Sequence, residues 1–292
     1  MKRTLMLFVA LAGALLSASA QKTVSYEGAD ETVRLWDNTT ARHSNYETRD
    51  EMWRKKRTIS QSSSCELYIF KATPKKNTGA AVAIYPGGGY SAMNLQISLA
   101  KWYASHGVTA AVVKYRLPNF GHNDATLEDA EGVVRYLRSR TDIGIDPTKV
   151  GVSGLSAGGH LASWVSNTMP DGEKPAFAIL HFPWIDLTES TSSSESKALF
   201  HLLGKDYTIQ DALNLSTHTM VTSNTSPTML LLCHDDPIVL STSSTEYYKA
   251  LIQHGVKASM HIYPSGGHRL NKHKEEYLSA ITDWLKWLKM IE

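Results

Sequence analysis

Val150-Gly151-Val152-Ser153-Gly154-Leu155-Ser156-Ala157-Gly158-Gly159-His160-Leu161-Ala162 decides the fold. A short apolar run, residues 150–152, gives way to a helix-like stretch that begins near Ala157. Between them stands Gly-x-Ser-x-Gly, with Ser156 at its centre. A serine at the tip of a tight strand-to-helix turn has its backbone close to neighbouring segments. Larger residues two positions before or after would clash, so Gly154 and Gly158 suit those places. Such a turn pushes the hydroxyl outward and aims a helix N-terminus at the same spot.

Outward from this stretch, apolar or β-branched runs recur at residues 67–71, 80–85, 108–115, 177–182, 228–233 and 259–263. Several are almost continuously apolar, as strands covered on both faces require. Helical patterns alternate with them. Leu127, Ala130, Val134 and Leu137 share one face of residues 126–140. Tyr247, Leu251 and Ile252 repeat the pattern in 242–254. Tyr277, Ile281, Trp284, Leu285 and Leu288 form a stripe in 275–289. The alternation predicts an α/β domain with a doubly wound, mostly parallel sheet and helices on both faces. Residues 21–60 are polar, with Trp36 and Trp53 as isolated anchors, and read as an irregular arm over the domain. Residues 190–225 open on a serine-rich run and show weak helical patterning. They read either as a small cap over the carboxyl edge of the sheet or as a surface excursion.

The chain has 292 residues, enough for one large domain with a sizeable core. Residues 1–20 read as a cleavable signal peptide: Lys2 and Arg3 start it, an apolar stretch follows, and Ala18-Ser19-Ala20 ends it. The catalytic domain would then be 21–292, secreted or periplasmic. Losing Lys2 and Arg3 takes the formal charge from +2 to zero, which gives no reason to expect a nucleic-acid partner. No other stretch is apolar enough to predict stable membrane insertion. Cys65 and Cys233 are the two cysteines, and both lie in or beside strand-like runs. They are expected as buried free thiols rather than a disulfide scaffold.

Serine is a poor nucleophile alone. It needs a base within hydrogen-bond reach, and the base needs a carboxylate to fix its tautomer. Two downstream sites follow predicted strands, where the ligand edge of an open α/β sheet lies. His268, in Pro264-Ser265-Gly266-Gly267-His268, is the expected base. Asp236, before Pro237, is the favoured carboxylate. Asp235 is the alternative, suited instead to capping the turn or bonding backbone amides. Ala157 is expected to donate one oxyanion N–H. Gly88 and Gly89, in Tyr85-Pro86-Gly87-Gly88-Gly89-Tyr90, are expected to complete that hole. Tyr90 and Trp184 follow strands and are candidates for stacking on sugar rings, with core burial as the other explanation. His160 reads as a packing residue. No cluster has metal-ligand spacing, so neither metal nor organic cofactor is expected.

These residues resemble a known family. The quoted motifs, with Tyr115-Arg116-Leu117-Pro118, Leu127-Glu128-Asp129-Ala130 and Asp235-Asp236-Pro237-Ile238-Val239, look like bacterial α/β-hydrolase esterases. The nearest branch is the secreted acetyl-xylan and feruloyl esterases, similar in turn to the hormone-sensitive-lipase group. The resemblance runs from about Ala80 to the C-terminus. It implies a cofactor-free serine esterase that removes acetyl or feruloyl groups from plant-type polysaccharides or oligosaccharides. Two departures stand out. Pro86 precedes the glycines where the lipase-like group has His, and Phe120-Gly121-His122-Asn123-Asp124 replaces a His-Pro-x-Pro run. A lipase-like esterase, a peptidase on the same fold and a non-catalytic carbohydrate-binding protein are the competing readings.

Overall fold

The computed structural model describes residues 28–54, 57–189, 193–270 and 272–292. The expected leader, 1–20, lies outside these, as do residues 190–192 at the start of the 190–225 segment. In chain order the described elements are β1 (Glu31–Asp37), β2 (Met52–Arg54), β3 (Thr58–Ser60), β4 (Ser64–Phe70), β5 (Ala81–Tyr85), β6 (Met93–Asn94), α1 (Ile97–Ser105), β7 (Thr109–Lys114), α2 (Asn123–Ser139), β8 (Val150–Leu155), α3 (Ala157–Thr168), β9 (Ala178–His181), α4 (Ser193–Leu203), α5 (Ile209–Leu215), β10 (Thr228–Cys233), α6 (Ser241–Gln253), β11 (Ala258–Tyr263) and α7 (Lys274–Trp287).

The main sheet runs β1-β4-β7-β5-β8-β9-β10-β11. From β7 to β11 every pairing is parallel, while β1 and β4 add antiparallel strands at one edge. The parallel strands β5, β7, β8, β9 and β10 are buried at every position and largely apolar, as strands covered by helices on both faces require, while the edge strand β11 is half-buried. The two faces separate cleanly at β8. Gly154 faces α3, where a Cβ would meet Gly158 and Ala162. Ser153, one residue earlier, faces His181, whose ring packs on Tyr277 of α7. Helices α2 and α3 pack together over the centre on the first side, and α6 packs on β10 and β11. Helices α1 and α7 form the other layer.

The polar arm is more ordered than its composition implied. Strand β1 pairs antiparallel with β4, and β2, β3 and β6 form a second small sheet. The arm is held by a buried charge cluster. Arg116, just past β7, lies against Asp129 of α2 at 2.7 Å, and both side chains are fully buried. Arg116 also donates to the carbonyl of His43, while Glu128 accepts the N–H groups of Arg42 and His43. The indole N–H of Trp36 donates to Asp129, and its ring fills the space over Gly132. Breaking one side of such a pair typically costs about 3–5 kcal/mol, because the other charge is left buried. The Arg116 and Asp129 motifs of the resemblance therefore serve the architecture.

Candidate active site

Ser156 sits between β8 and α3 with φ 55° and ψ −121°, a region that L-residues seldom occupy. Strain of this kind costs about 1–3 kcal/mol and persists only where the surroundings impose it. Here they do. The Ser156 N–H donates to His181 O at 3.0 Å, and Ser156 O accepts from the N–H of Gly159 and Trp184. The flanking glycines are required by space. A Cβ on Gly154 would stand 2.0 Å from Gly158 O, and one on Gly158 would stand 2.0 Å from Tyr85 O. Both obstacles are backbone and cannot step aside. Gly158→Ala is therefore expected to destabilise the protein by about 3 kcal/mol or more. Urea denaturation of the variant against the parent checks this; a loss below about 0.5 kcal/mol would mean that the turn relaxes freely.

His268 reaches Ser156 from the other side of the cleft. It lies in the 3-10 turn Gly267–Arg269 after β11, and its loop is shaped by positive φ at Gly266 and Gly267. Its Nε2 is 2.9 Å from Ser156 Oγ, and its Nδ1 is 2.7 Å from Asp236 Oδ2. A carboxylate only accepts, so Nδ1 carries the hydrogen, and Nε2 of the neutral ring accepts from the serine hydroxyl. Asp236 is held in turn. Its Oδ1 accepts the N–H of Ile238 at 2.8 Å and of Val239 at 3.0 Å. Asp235 points elsewhere: its two oxygens accept the N–H of Gly266 and Gly267. Those bonds hold its carboxyl below the usual range and brace the loop that carries His268. The ring of Phe182 packs edge-on against His268 with 4.7 Å between centroids.

The glycine loop after β5 lies against the serine turn, and a Cβ on Gly87 would stand 2.4 Å from Leu155 O and 3.0 Å from Ser156 Cβ. The loop's carbonyls are engaged: Pro86 O by the Tyr115 hydroxyl, Gly87 O by Asn94 N–H, Gly88 O by Ala92 N–H. The N–H groups of Gly88, Gly89 and Ala157 have no protein acceptor among the described residues. Gly88, Gly89, Ala157, Ser156 and His268 all line one cavity of about 670 Å³. The structure thus brings together seven of the eight residues singled out from sequence: Ser156, His268, Asp236, Gly88, Gly89, Ala157 and, in the cavity wall, Trp184.

The two stacking candidates fare differently. Tyr90 is fully buried and does not line the cavity. Its hydroxyl donates to His160 Nδ1 at 2.6 Å, and His160 Nε2 donates to Leu215 O at 2.7 Å. Burial holds His160 neutral, its pKa pushed down to about 4. Tyr90 therefore ties the glycine loop to α3 and to the end of α5, and its reading as a sugar platform is corrected. Trp184 lines the cavity but is only 3% exposed, so it forms a wall without an open face for a sugar ring. Trp102 of α1, half-buried, lines the same cavity with Asn94 and Gln96. Trp102, His181 and Phe182 went unnoticed in the sequence. The last two end the run at 177–182 beside β8, so the rule that ligand residues gather at strand carboxyl ends would have found them. Helix α4, in the 190–225 segment, adds Lys197 and Ala198 to the cavity. Cys65 and Cys233 are both buried and free, one on β4 and the other on β10. Among the described residues no group of acidic, His and Cys side chains is arranged to hold a metal, and no helix is long and apolar enough to cross a membrane.

Fold and site together place the chain among the α/β-hydrolases. It belongs to the prolyl oligopeptidase family, which residues 118–291 match. It is 33% identical over 247 residues to an acetylxylan esterase of Xylanibacter ruminicola, an alignment that covers 80% of this chain and 50% of that protein. The chain thus spans about half the length of that relative. Among solved structures it is similar to an acetyl ester-xyloside bifunctional hydrolase from Caldicellulosiruptor lactoaceticus, with a TM-score of 0.70 and 30% identity over 78% of this chain and 90% of the other. A carboxylesterase from Lactobacillus plantarum shares the fold at a TM-score of 0.67 and 19% identity, covering 84% and 99% of the two chains.

Proposed function

We propose that this chain is a serine carboxylic-ester hydrolase that removes O-acetyl groups from plant-type polysaccharides or oligosaccharides, and that residues 1–20 direct its export. The observation that carries the reading is the hydrogen-bonded chain from Ser156 Oγ through His268 to Asp236, with Ser156 and His268 lining a cavity. The names of the xylan-active relatives support acetyl over feruloyl. In the proposed mechanism His268 takes the Ser156 proton as Oγ attacks the ester carbonyl. Negative charge develops on the carbonyl oxygen, and the N–H groups of Ala157, Gly88 and Gly89 are the proposed donors to it. His268 then protonates the departing sugar hydroxyl, leaving an acetyl-serine. A water activated by the same imidazole frees acetate. Asp236 keeps the imidazole in the productive tautomer and stabilises its cationic form.

The test is release of acetate from acetylated xylo-oligosaccharides against release of ferulate from feruloylated ones. Acetate release that exceeds ferulate release by at least tenfold is expected. Ferulate in excess would overturn the acyl assignment, and release of neither would overturn the reading. Peptide-bond hydrolysis is the second reading, carried by the match to the prolyl oligopeptidase family. Cleavage of a proline-containing chromogenic peptide without cleavage of any acetyl ester would favour it.

A further inference from the structure

We propose that the mouth of the Ser156 cavity is an anion subsite for a uronate carboxylate on the glycan that bears the ester. This deepens the ester-hydrolase reading and rests on it. Three charged side chains other than His268 line the cavity: Lys197 from α4, Arg269 from the turn after β11, and Lys274 at the start of α7. All three are basic, and no Asp or Glu among the described residues lines the cavity with them. None of the three joins an ion pair among the described residues. The chain as a whole carries 30 Lys and Arg against 28 Asp and Glu, so general basicity does not explain the asymmetry.

Like charges gathered at one opening repel one another, and a low-dielectric cleft focuses their field outward. An anion relieves that repulsion. The N-terminal amides of α7, a helix of 14 residues, add partial positive charge beside Lys274. Glu275 and Glu276 follow Lys274 in the first turn of α7, but neither lines the cavity; Glu276 lies 3.5 Å from His273, and Asp235 accepts two loop amides.

The anion belongs to the alcohol side of the ester. Lys197, Arg269 and Lys274 are exposed, whereas the cavity walls at Phe182 and Trp184 are buried. The acyl group of an acetyl ester is small and enters the buried end, and the glycan remains at the open mouth. Arg269 directly follows His268 in the chain, so a carboxylate on its guanidinium fork stands at a fixed step from the scissile bond.

The experiment compares kcat/KM of the full chain on two substrates. One is an acetylated glucuronoxylan oligosaccharide; the other is the same oligosaccharide with its uronate carboxyl capped as a neutral methylamide. At low salt the acid form is expected to be preferred about tenfold. In 1 M NaCl, where the screening length falls to about 3 Å, the preference should shrink to about twofold or less. In R269Q, and further in the triple variant K197Q/R269Q/K274Q, the ratio of the two substrates should fall toward one. Because the ratio is taken within each variant, a general loss of turnover does not imitate the result. A ratio near one in the parent overturns the subsite, as does a preference that survives unchanged in the triple variant or in high salt. If neither oligosaccharide nor 4-nitrophenyl acetate is hydrolysed, the ester-hydrolase reading falls and takes the subsite with it.

Discussion

Ser156→Ala is expected to lower kcat on 4-nitrophenyl acetate by about 10⁵- to 10⁶-fold, with KM changed little. Alanine occupies the same strained φ of 55° and keeps the bonds from the backbone of residue 156 to His181, Gly159 and Trp184, so the fold should survive. What disappears is the oxygen that His268 Nε2 meets at 2.9 Å. Residual turnover would come from binding and from the free amides at Gly88, Gly89 and Ala157, which act only on a carbonyl attacked by water. Steady-state rates, with denaturation profiles as a control for folding, make the measurement. Covalent labelling by a fluorophosphonate should vanish in the same variant. Activity within tenfold of the parent would show that another group attacks the ester.

The reach of the sequence differed sharply across the chain. The parallel centre was legible because it is buried on both faces, which leaves long apolar runs at 80–85, 150–153 and 228–233 separated by helical stripes. The amphipathic helices at Leu127–Leu137 and Tyr277–Leu285 were legible for the same reason, since one face of each meets the sheet. Strand β1 was not. It reads ETVRLWD, and its residues are mostly half-buried because it lies at the sheet edge. Arg34 pairs with Glu66 and Trp36 with Asp129, so partners set by tertiary contact stabilise it rather than a hydrophobic pattern. Helix α1 escaped notice because only Ile97, Ala100 and Tyr103 of its nine residues are buried.

The site divides along a similar line. Groups whose chemistry restricts the local backbone were readable: two glycines around a serine, three glycines after a strand, a histidine after the last strand. Aromatic roles were not, because a Tyr or Trp after a strand is equally at home in the core. Tyr90 illustrates this. The same position that suggested a sugar platform makes it a buried pin, since the hydroxyl finds His160 and the ring has no open side. The cavity's polar wall at Asn94 and Gln96 and its basic mouth depend on elements far apart in sequence, and no local pattern marks such convergence.

The neighbouring acids provide the sharpest test of the geometry. Asp236→Asn is expected to lower kcat by about 10⁴-fold. An amide at this position can present its NH₂ group to Nδ1 of His268 and so favour the other tautomer. Nε2 would then carry the hydrogen and lose its ability to accept the Ser156 proton. The fold should be little disturbed, because the amide oxygen of Asn can still accept from Ile238 and Val239, as Oδ1 does at 2.8 and 3.0 Å. Asp235→Asn removes a charge one residue away, yet it should cost less than about tenfold. Its carboxylate bonds only the Gly266 and Gly267 amides, and one oxygen of Asn keeps part of that brace. A loosened brace shifts the orientation of His268 without changing which nitrogen carries the hydrogen. The two variants thus separate a carboxylate that sets the tautomer from one that shapes the loop. Parallel measurement of kcat on one acetyl ester decides between them. A larger loss for Asp235→Asn than for Asp236→Asn would reverse the assignment, and equal losses would mean that loop order rather than tautomer limits the reaction.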